Sequence, residues 1–335
     1  MLVIDINNVK DIVKKAGMQS FLKELIIQLK NDFLNWEEFE KVSRVASHSA
    51  KGVIELMPIS NKVFYSYKYV NGHPKNPILN KPTVMAMGAL SHVDTGEPLC
   101  LSEMTILTAL RTAAISALAG SYLAKKNSSV LTLVGTGAQS EFQSLAFATQ
   151  FNIKTIKYFD VDECAMIKFE KNMSQYDFEL IRCKDSMQAV KNSDIITTIT
   201  ADKTNQTILT TNMIEKGVFI NGVGGDCPGK TELQKEIVEN AKVVVEYLPQ
   251  TISEGEIQQT GAEVVYCELY ELIKGEKKGR VNSDEITLFD SVGFALEDFS
   301  VLKLVYDLAQ QYDIGKRIDL IPNQKDPKNL FGLLI

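Results

Sequence analysis

The chain is poor in the side chains that most often carry metal or covalent chemistry. Its 335 residues include three histidines, His48, His73 and His92. None has the H-x-x-x-H or H-x-x-E-H spacing that puts two imidazoles on one face, so no metal site is expected. The five cysteines are odd in number and scattered, and no two form a C-x-x-C pair. That excludes a disulfide framework or a zinc ribbon and makes a reducing cytoplasm the expected setting. A basic excess is missing too: 36 Lys and Arg stand against 42 Asp and Glu, a net charge of −6. A general nucleic-acid binder needs a basic face to neutralise phosphates, so that class is excluded. The short basic run Lys274–Arg280 contains an acid and two glycines and reads as a solvated loop. No stretch reaches the ~20 apolar residues of a membrane span, and Asp5 interrupts the apolar N-terminus, which is therefore not a signal peptide.

What is present is ordinary for a globular protein, with 45% hydrophobic and 23% charged residues. The length allows two domains and a large core. Apolar positions recur at helix spacing from Val9 to Leu29, and Gly17 divides them into two helices. From Val42 to Cys100 the runs become short and β-rich (Val63–Val70, Thr83–Ser91, Pro98–Leu101), separated by turn clusters. A largely antiparallel sheet with helices against it is expected there. Residues 103–125 read as one long helix.

From Ser129 the rhythm becomes strand, helix, strand. Expected strands are Val130–Val134, Lys154–Phe159, Phe178–Cys183, Asp194–Thr200, Val218–Asn221, Lys242–Tyr247 and Glu263–Cys267. Among the expected helices are Gln139–Gln150, Glu232–Ala241 and about Val292–Gln311. Strands spaced by helices imply a doubly wound, Rossmann-type parallel sheet covered on both faces. The chain is thus expected to be α/β. Residues 1–112 together with 312–335 are expected to form one α+β domain, and 113–311 a second, doubly wound one.

Two glycine loops carry the chemistry. The first, Gly135-Thr136-Gly137-Ala138-Gln139-Ser140, follows a strand and opens a helix. Gly135 permits the tight turn, and Gly137 lets the backbone approach a pyrophosphate at the helix N-terminus. Asp160 ends the next strand, ~25 residues on, where an acid binds the adenosine ribose and repels a 2′-phosphate. NAD is therefore favoured over NADP.

The second loop, Asn221–Leu233, reads NGVGGDCPGKTEL. From Gly224 to Thr231 it satisfies the triphosphate-loop pattern letter by letter. Two residues are wrong for a triphosphate. Pro228 removes a backbone donor, and Asp226 places a negative charge in the cradle. Both loops leave the carboxyl ends of parallel strands, so Asp226 faces the same crevice as Gly135 and can exchange protons with a substrate amine or carbonyl. Lys230, four residues on, can pair with it. Cys227 reads as a packing residue.

These segments, GTGAQSEFQ at Gly135–Gln143 and NGVGGDCPGKTEL, resemble the ornithine cyclodeaminase and mu-crystallin family. Leu110-Arg111-Thr112-Ala113-Ala114 and Asp290-Ser291-Val292-Gly293 extend the resemblance along almost the whole chain. Gly-Asp-Cys-Pro-Gly-Lys-Thr-Glu is most like the ornithine cyclodeaminase branch, since other branches vary at the Cys and Thr positions.

The resemblance implies an NAD-dependent homodimer that converts L-ornithine to L-proline and ammonia, with a hydride removed and returned. It implies substrate binding and dimerisation for residues 1–112 with 312–335, and nucleotide binding for 113–311. It implies Asp226 as the acid/base and Glu55 as a second active-site acid. Arg44 and Lys68 take the substrate carboxylate, and Val292 is a backbone position on the substrate side. Thr83, Arg111, Gly135, Gly137, Ala138, Gln139, Asp160, Thr200, Asn221, Gly222, Val223, Gly224, Lys230 and Ser291 contact the cofactor. By alternation Glu55 lies opposite Ile54 and Leu56, and an acid flanked by aliphatic residues can also simply face water. An amino-acid dehydrogenase or ketimine reductase, and an inactive NAD-dependent binding protein, are the competing readings.

Overall fold

The computed structural model describes residues 1–201 and 206–335. Among these, two eight-stranded sheets share the chain. The first runs, in spatial order, Lys316–Arg317, Leu2–Ile4, Pro98–Glu103, Ala86–His92, Phe64–Gly72, Gly52–Ser60 and Glu40–Lys41, with Val45–Ser49 also paired to Gly52–Ser60. It is antiparallel except where Leu2–Ile4 lies parallel to Pro98–Glu103. The second is parallel throughout, in the order Glu179–Arg182, Thr155–Phe159, Val130–Val134, Ile195–Thr198, Phe219–Gly222, Thr287–Asp290, Lys242–Val245 and Val265–Glu268. The expected α/β class, with one largely antiparallel and one doubly wound parallel sheet, is therefore what the chain adopts.

The parallel strands are short and apolar because both of their faces are covered. Phe219–Gly222 and Thr287–Asp290 are buried at every position. Thr287–Asp290 lies inside this sheet, and the β-pattern reading missed it, since four residues ending in an acid give no visible alternation.

The helix Thr105–Leu123 links the two halves. Among the described residues it is the one helix long and apolar enough to cross a membrane, against the expectation that no stretch is. It is instead a core helix: 72% of its apolar window is buried in the protein, and it carries buried Arg111. The helix Ala295–Tyr312 lies against the first sheet and against the helices Met18–Leu34 and Thr105–Leu123. The single tryptophan, Trp36, stacks on Tyr270 at 4.8 Å between centroids and also meets Phe33 and Phe294, an aromatic node between the halves.

Two local expectations are corrected and one is refined. The helix expected over Glu232–Ala241 is only Lys235–Asn240, because Leu233 pairs with Leu209 in a parallel bridge. The last helix starts at Ala295 rather than Val292, because Ser291, Val292 and Gly293 are bonded elsewhere and Gly293 has φ +78°. The basic run is the expected exposed loop over 275–278, but its two ends are anchored. Lys274 pairs with Glu37, and Arg280 donates to the carbonyls of Leu123 and Val218 and to Thr287, tying the linking helix to the second sheet.

Candidate active site

The carboxyl ends of the Val130–Val134, Ile195–Thr198, Phe219–Gly222 and Thr287–Asp290 strands lie side by side, and both glycine loops leave from them. Gly135 has φ +107°, and a Cβ there would stand 2.7 Å from the carbonyl oxygen of Ile199. Only glycine permits that close turn. At Gly137 a Cβ would meet nothing within 4 Å, so that side of the turn is open. The following helix, Ser140–Gln150, has no side-chain cap, which leaves its first N–H groups for an anion. Asp160 accepts the backbone N–H of Thr136 at 2.6 Å and its hydroxyl at 3.2 Å. The acid at the second strand end thus braces the first glycine turn.

Asn221 donates its side-chain N–H to Gln143 and Thr197, while among the described residues no partner meets its buried Oδ1 or the buried Oε1 of Gln139. Two such acceptors beside an open glycine turn and an uncapped helix end fit a dinucleotide, which brings amide and hydroxyl donors together with phosphates. Val223 and Gly224 donate to the carbonyl of Thr198 at 3.0 Å, and Ser291 donates to that of Gly222 at 2.8 Å. Lys230, almost wholly buried, donates to the carbonyl of Thr200 at 2.7 Å and lies 3.7 Å from Asp226. Asp226 itself is exposed, its side chain open by 51%. The predicted positions of both loops therefore meet at one set of strand ends. Thr83 lies in the loop before Ala86–His92, where its carbonyl accepts from His73 and Asn71. No hydrogen bond among the described residues joins its side chain to this group.

A second group, mostly of charges, is assembled from both sheets. Glu55 is buried while Ile54 and Leu56 are exposed, the reverse of the usual pattern, so the acid and not the aliphatics points inward. It meets Arg44 at 3.2 Å. Arg44 also donates to the carbonyls of Val292 and Gly293 at 2.6 Å, and its Nε lies 3.2 Å from Glu254. Lys68 reaches Asp298 at 2.7 Å, and Arg111 reaches Asp298 at 2.9 Å and Glu297 at 2.6 Å. Arg111, expected among the cofactor contacts, thus shares a carboxylate with Lys68. Burial, and then the nearby Arg111, lower the Lys68 ammonium to about 8 in spite of Asp298. Burial raises the Glu254 carboxyl to about 7 although Arg44 opposes it, with Glu55 and Asp226 adding to the rise. Asp226, after Glu55 and Glu254, also favours the charged form of the Arg44 guanidinium.

Sequence reasoning missed the acids that hold these groups. Glu246 accepts the Ser291 hydroxyl at 2.6 Å and the N–H groups of Val292 and Gly293, so it sets the two carbonyls that hold Arg44. Gln250 ties the backbone of Arg44 to the carbonyl of Gly293. Glu246 and Asp290 each end an apolar strand, the same signal that singled out Asp160. A separate groove of about 510 Å³ lies between the helices Ser140–Gln150 and Glu163–Met173. It touches Gly137 and Ala138 but none of Arg44, Lys68 or Asp226.

Residues 7–313 match the ornithine cyclodeaminase/mu-crystallin family. An ornithine cyclodeaminase of Agrobacterium fabrum is 49% identical over 332 residues, which is 99% of this chain and 94% of that protein. Among solved structures, an archaeal alanine dehydrogenase dimer with bound NAD is 32% identical with a TM-score of 0.88, over 96% of this chain and 99% of its own. A lysine cyclodeaminase, described for its recognition of L-lysine, L-ornithine and L-2,4-diaminobutyric acid, gives a TM-score of 0.94 at 27% identity over 99% of both chains.

Proposed function

The chain belongs to the ornithine cyclodeaminase/mu-crystallin family, and we propose that it converts L-ornithine to L-proline and ammonia with NAD as its resident cofactor. The observation that carries this reading is the position of Asp226. It is an exposed carboxylate on the loop that leaves the strand ends that fit a dinucleotide, 3.7 Å from buried Lys230. Bound there, NAD supplies a two-electron acceptor that ends the cycle as it began, so no net oxidation occurs.

The protein's own groups divide the rest of the work. Arg44 and Lys68 are the cations for the substrate carboxylate, with Glu55, Glu254 and Asp298 fixing their positions. Arg111 steadies Asp298 from the other side. Asp226 takes a proton from the α-amine and returns one to the departing ammonia, with Lys230 beside it to stabilise the ionised state. Glu55, held by Arg44, is the second acid facing the substrate. Holding both amines of one molecule in a closed cleft favours ring closure, because the attack is intramolecular. Thr83 and the residues of the two glycine loops are proposed cofactor contacts.

The test is an assay with L-ornithine and a catalytic amount of NAD. Equal amounts of proline and ammonia without accumulating NADH are expected. NADH rising in step with product would replace this reading by an amino-acid dehydrogenase.

We also propose a homodimer formed through the first sheet. Val45, Leu56, Tyr69 and Met87 are neighbours in one row across four strands, and all are exposed. Such a continuous apolar row on a sheet face suits burial against a second copy. Leu56→Glu with Tyr69→Glu should halve the mass measured by light scattering. An unchanged mass would place the contact elsewhere. The division into residues 1–112 with 312–335, and 113–311, remains the proposed domain organisation. We further propose a reducing, cytoplasmic setting, which five scattered cysteines with no C-x-x-C pair suit.

A further inference from the structure

Three buried carboxylates stand one behind another between the second sheet and the loop that carries Asp226. Asp290, at the end of its strand, accepts the backbone N–H groups of Glu256 and Ile257 at 2.9 and 3.0 Å. Glu256 accepts those of Glu232 and Leu233 at 2.7 and 3.0 Å. Glu232 accepts the backbone N–H of Thr200 at 3.1 Å and its hydroxyl. Asp290 and Glu256 therefore each fix the backbone of the residue that bears the next carboxylate. All three are buried. A buried carboxylate is tolerated where N–H donors face both of its oxygens, as they do for Asp290 and Glu256.

The glycines of the loop lie against this series. A Cβ on Gly225 would stand 2.6 Å from Oε1 of Glu256. A Cβ on Gly224 would come closer still to both oxygens of Glu232, and one on Gly255 would meet Asp290. Neither Gly224 nor Gly225 has positive φ, so backbone freedom does not require glycine at these two positions. Space requires it. The flanking Gly222, by contrast, would keep ordinary contacts with a Cβ.

We propose that Gly224 and Gly225 are small to admit the Glu232 and Glu256 carboxylates, not a phosphate, and that Glu256 is a positioning residue for Asp226. The geometry gives Glu256 that role. One of its oxygens lies against Gly225, the residue before Asp226, while both hold the backbone at Glu232 and Leu233 on the returning limb. The loop is clamped from within, and a small displacement of a proton-transfer group costs rate steeply. The proposal rests on the cyclodeaminase reading for its assay but not for its geometry.

The test is a double-mutant cycle of Gly225→Ala and Glu256→Ala in the full chain with NAD, read both as kcat with L-ornithine and as melting temperature. Alone, Gly225→Ala should lower kcat by on the order of 100-fold. In the Glu256→Ala background it should cost nothing further in either readout, because the carboxylate it collides with is gone. An equal cost in both backgrounds would overturn the proposal, since the glycine would then be serving the cofactor or the turn itself. Should Glu256→Ala fail to fold, Glu256→Gln serves in its place. It keeps the size but sets an amide donor against a backbone donor, and it should lower kcat while leaving KM near that of the parent. Lost stability with kcat retained would leave Glu256 structural only and overturn its positioning role. If the parent protein does not turn over ornithine, the cyclodeaminase reading fails. The melting-temperature cycle then still decides whether the glycine and the carboxylate are coupled.

Discussion

Lys68 Nζ and Asp298 Oδ1 stand 2.7 Å apart, although 230 residues separate them in the chain. Arg111 Nε reaches the same oxygen at 2.9 Å. One buried carboxylate thus holds two cations, one from the first sheet and one from the linking helix, at the place proposed for the substrate carboxylate. Asp298→Asn removes their shared counter-charge, and breaking a buried pair from one side costs roughly 3–5 kcal/mol. The urea midpoint should fall accordingly, and KM for ornithine should rise. A midpoint equal to that of the parent would show that Glu297 alone suffices to hold the pair of cations.

Asp226→Asn addresses the chemistry without disturbing the core, since this side chain is half exposed. Loss of a general acid/base lowers rate by roughly 10²–10⁴-fold. We expect kcat to fall within that range while NAD affinity and melting temperature hold. Single-turnover kinetics with L-ornithine is the check, and retained turnover would move the proton transfers to another group.

Asp160, the residue proposed to set cofactor choice, braces the glycine turn through Thr136. Juxtaposing like charges costs several kcal/mol, and about 1.4 kcal/mol is already tenfold in affinity. In Asp160→Ser the preference for NAD over NADP should therefore drop by at least about tenfold, with NAD itself bound less tightly. The two dissociation constants, measured by fluorescence titration, decide this. An unchanged ratio would separate Asp160 from the ribose.

The buried charges make stability depend on pH in two opposite directions. Glu254 is raised from 4.5 to about 7 by burial, so the folded chain holds a proton that the unfolded chain releases between those values. Its contribution to stability therefore falls as pH rises through that window. Lys68 is lowered from 10.5 to about 8, chiefly by burial, so between those values the unfolded chain holds the extra proton and stability rises with pH. Thermal midpoints should show Glu254→Gln flattening the acid-side slope and Lys68→Met the alkaline-side slope. Parallel curves for parent and variants would refute both assignments.

The readable parts of the sequence were those in which local order carries the signal. Strand, glycine turn, helix, strand and acid are consecutive from Val130 to Asp160, and they fold as that order implies. Pro228 and Asp226 are wrong for a triphosphate although the pattern is satisfied, and of the two glycines that create it, Gly224 lies against the carboxylate of Glu232. Glu232 sits among neighbours with helix-like spacing. The backbone around it is instead drawn out by Glu256, a partner 24 residues away.

Local order determined the class of fold, the site of the dinucleotide turn and the identity of the exposed acid, because periodicity, glycine and strand ends act over a few residues. The choice of which acids are buried belonged to the tertiary structure. Glu256, Glu297 and Asp298 look like any surface carboxylates in the chain, and Glu246 and Asp290 share a strand-end position with the less buried Asp160, yet all five are enclosed. Whether a carboxylate can be enclosed depends on the donors that face it, and those donors, such as Val292 N–H for Glu246 or Arg111 for Asp298, come from distant segments that only folding brings together.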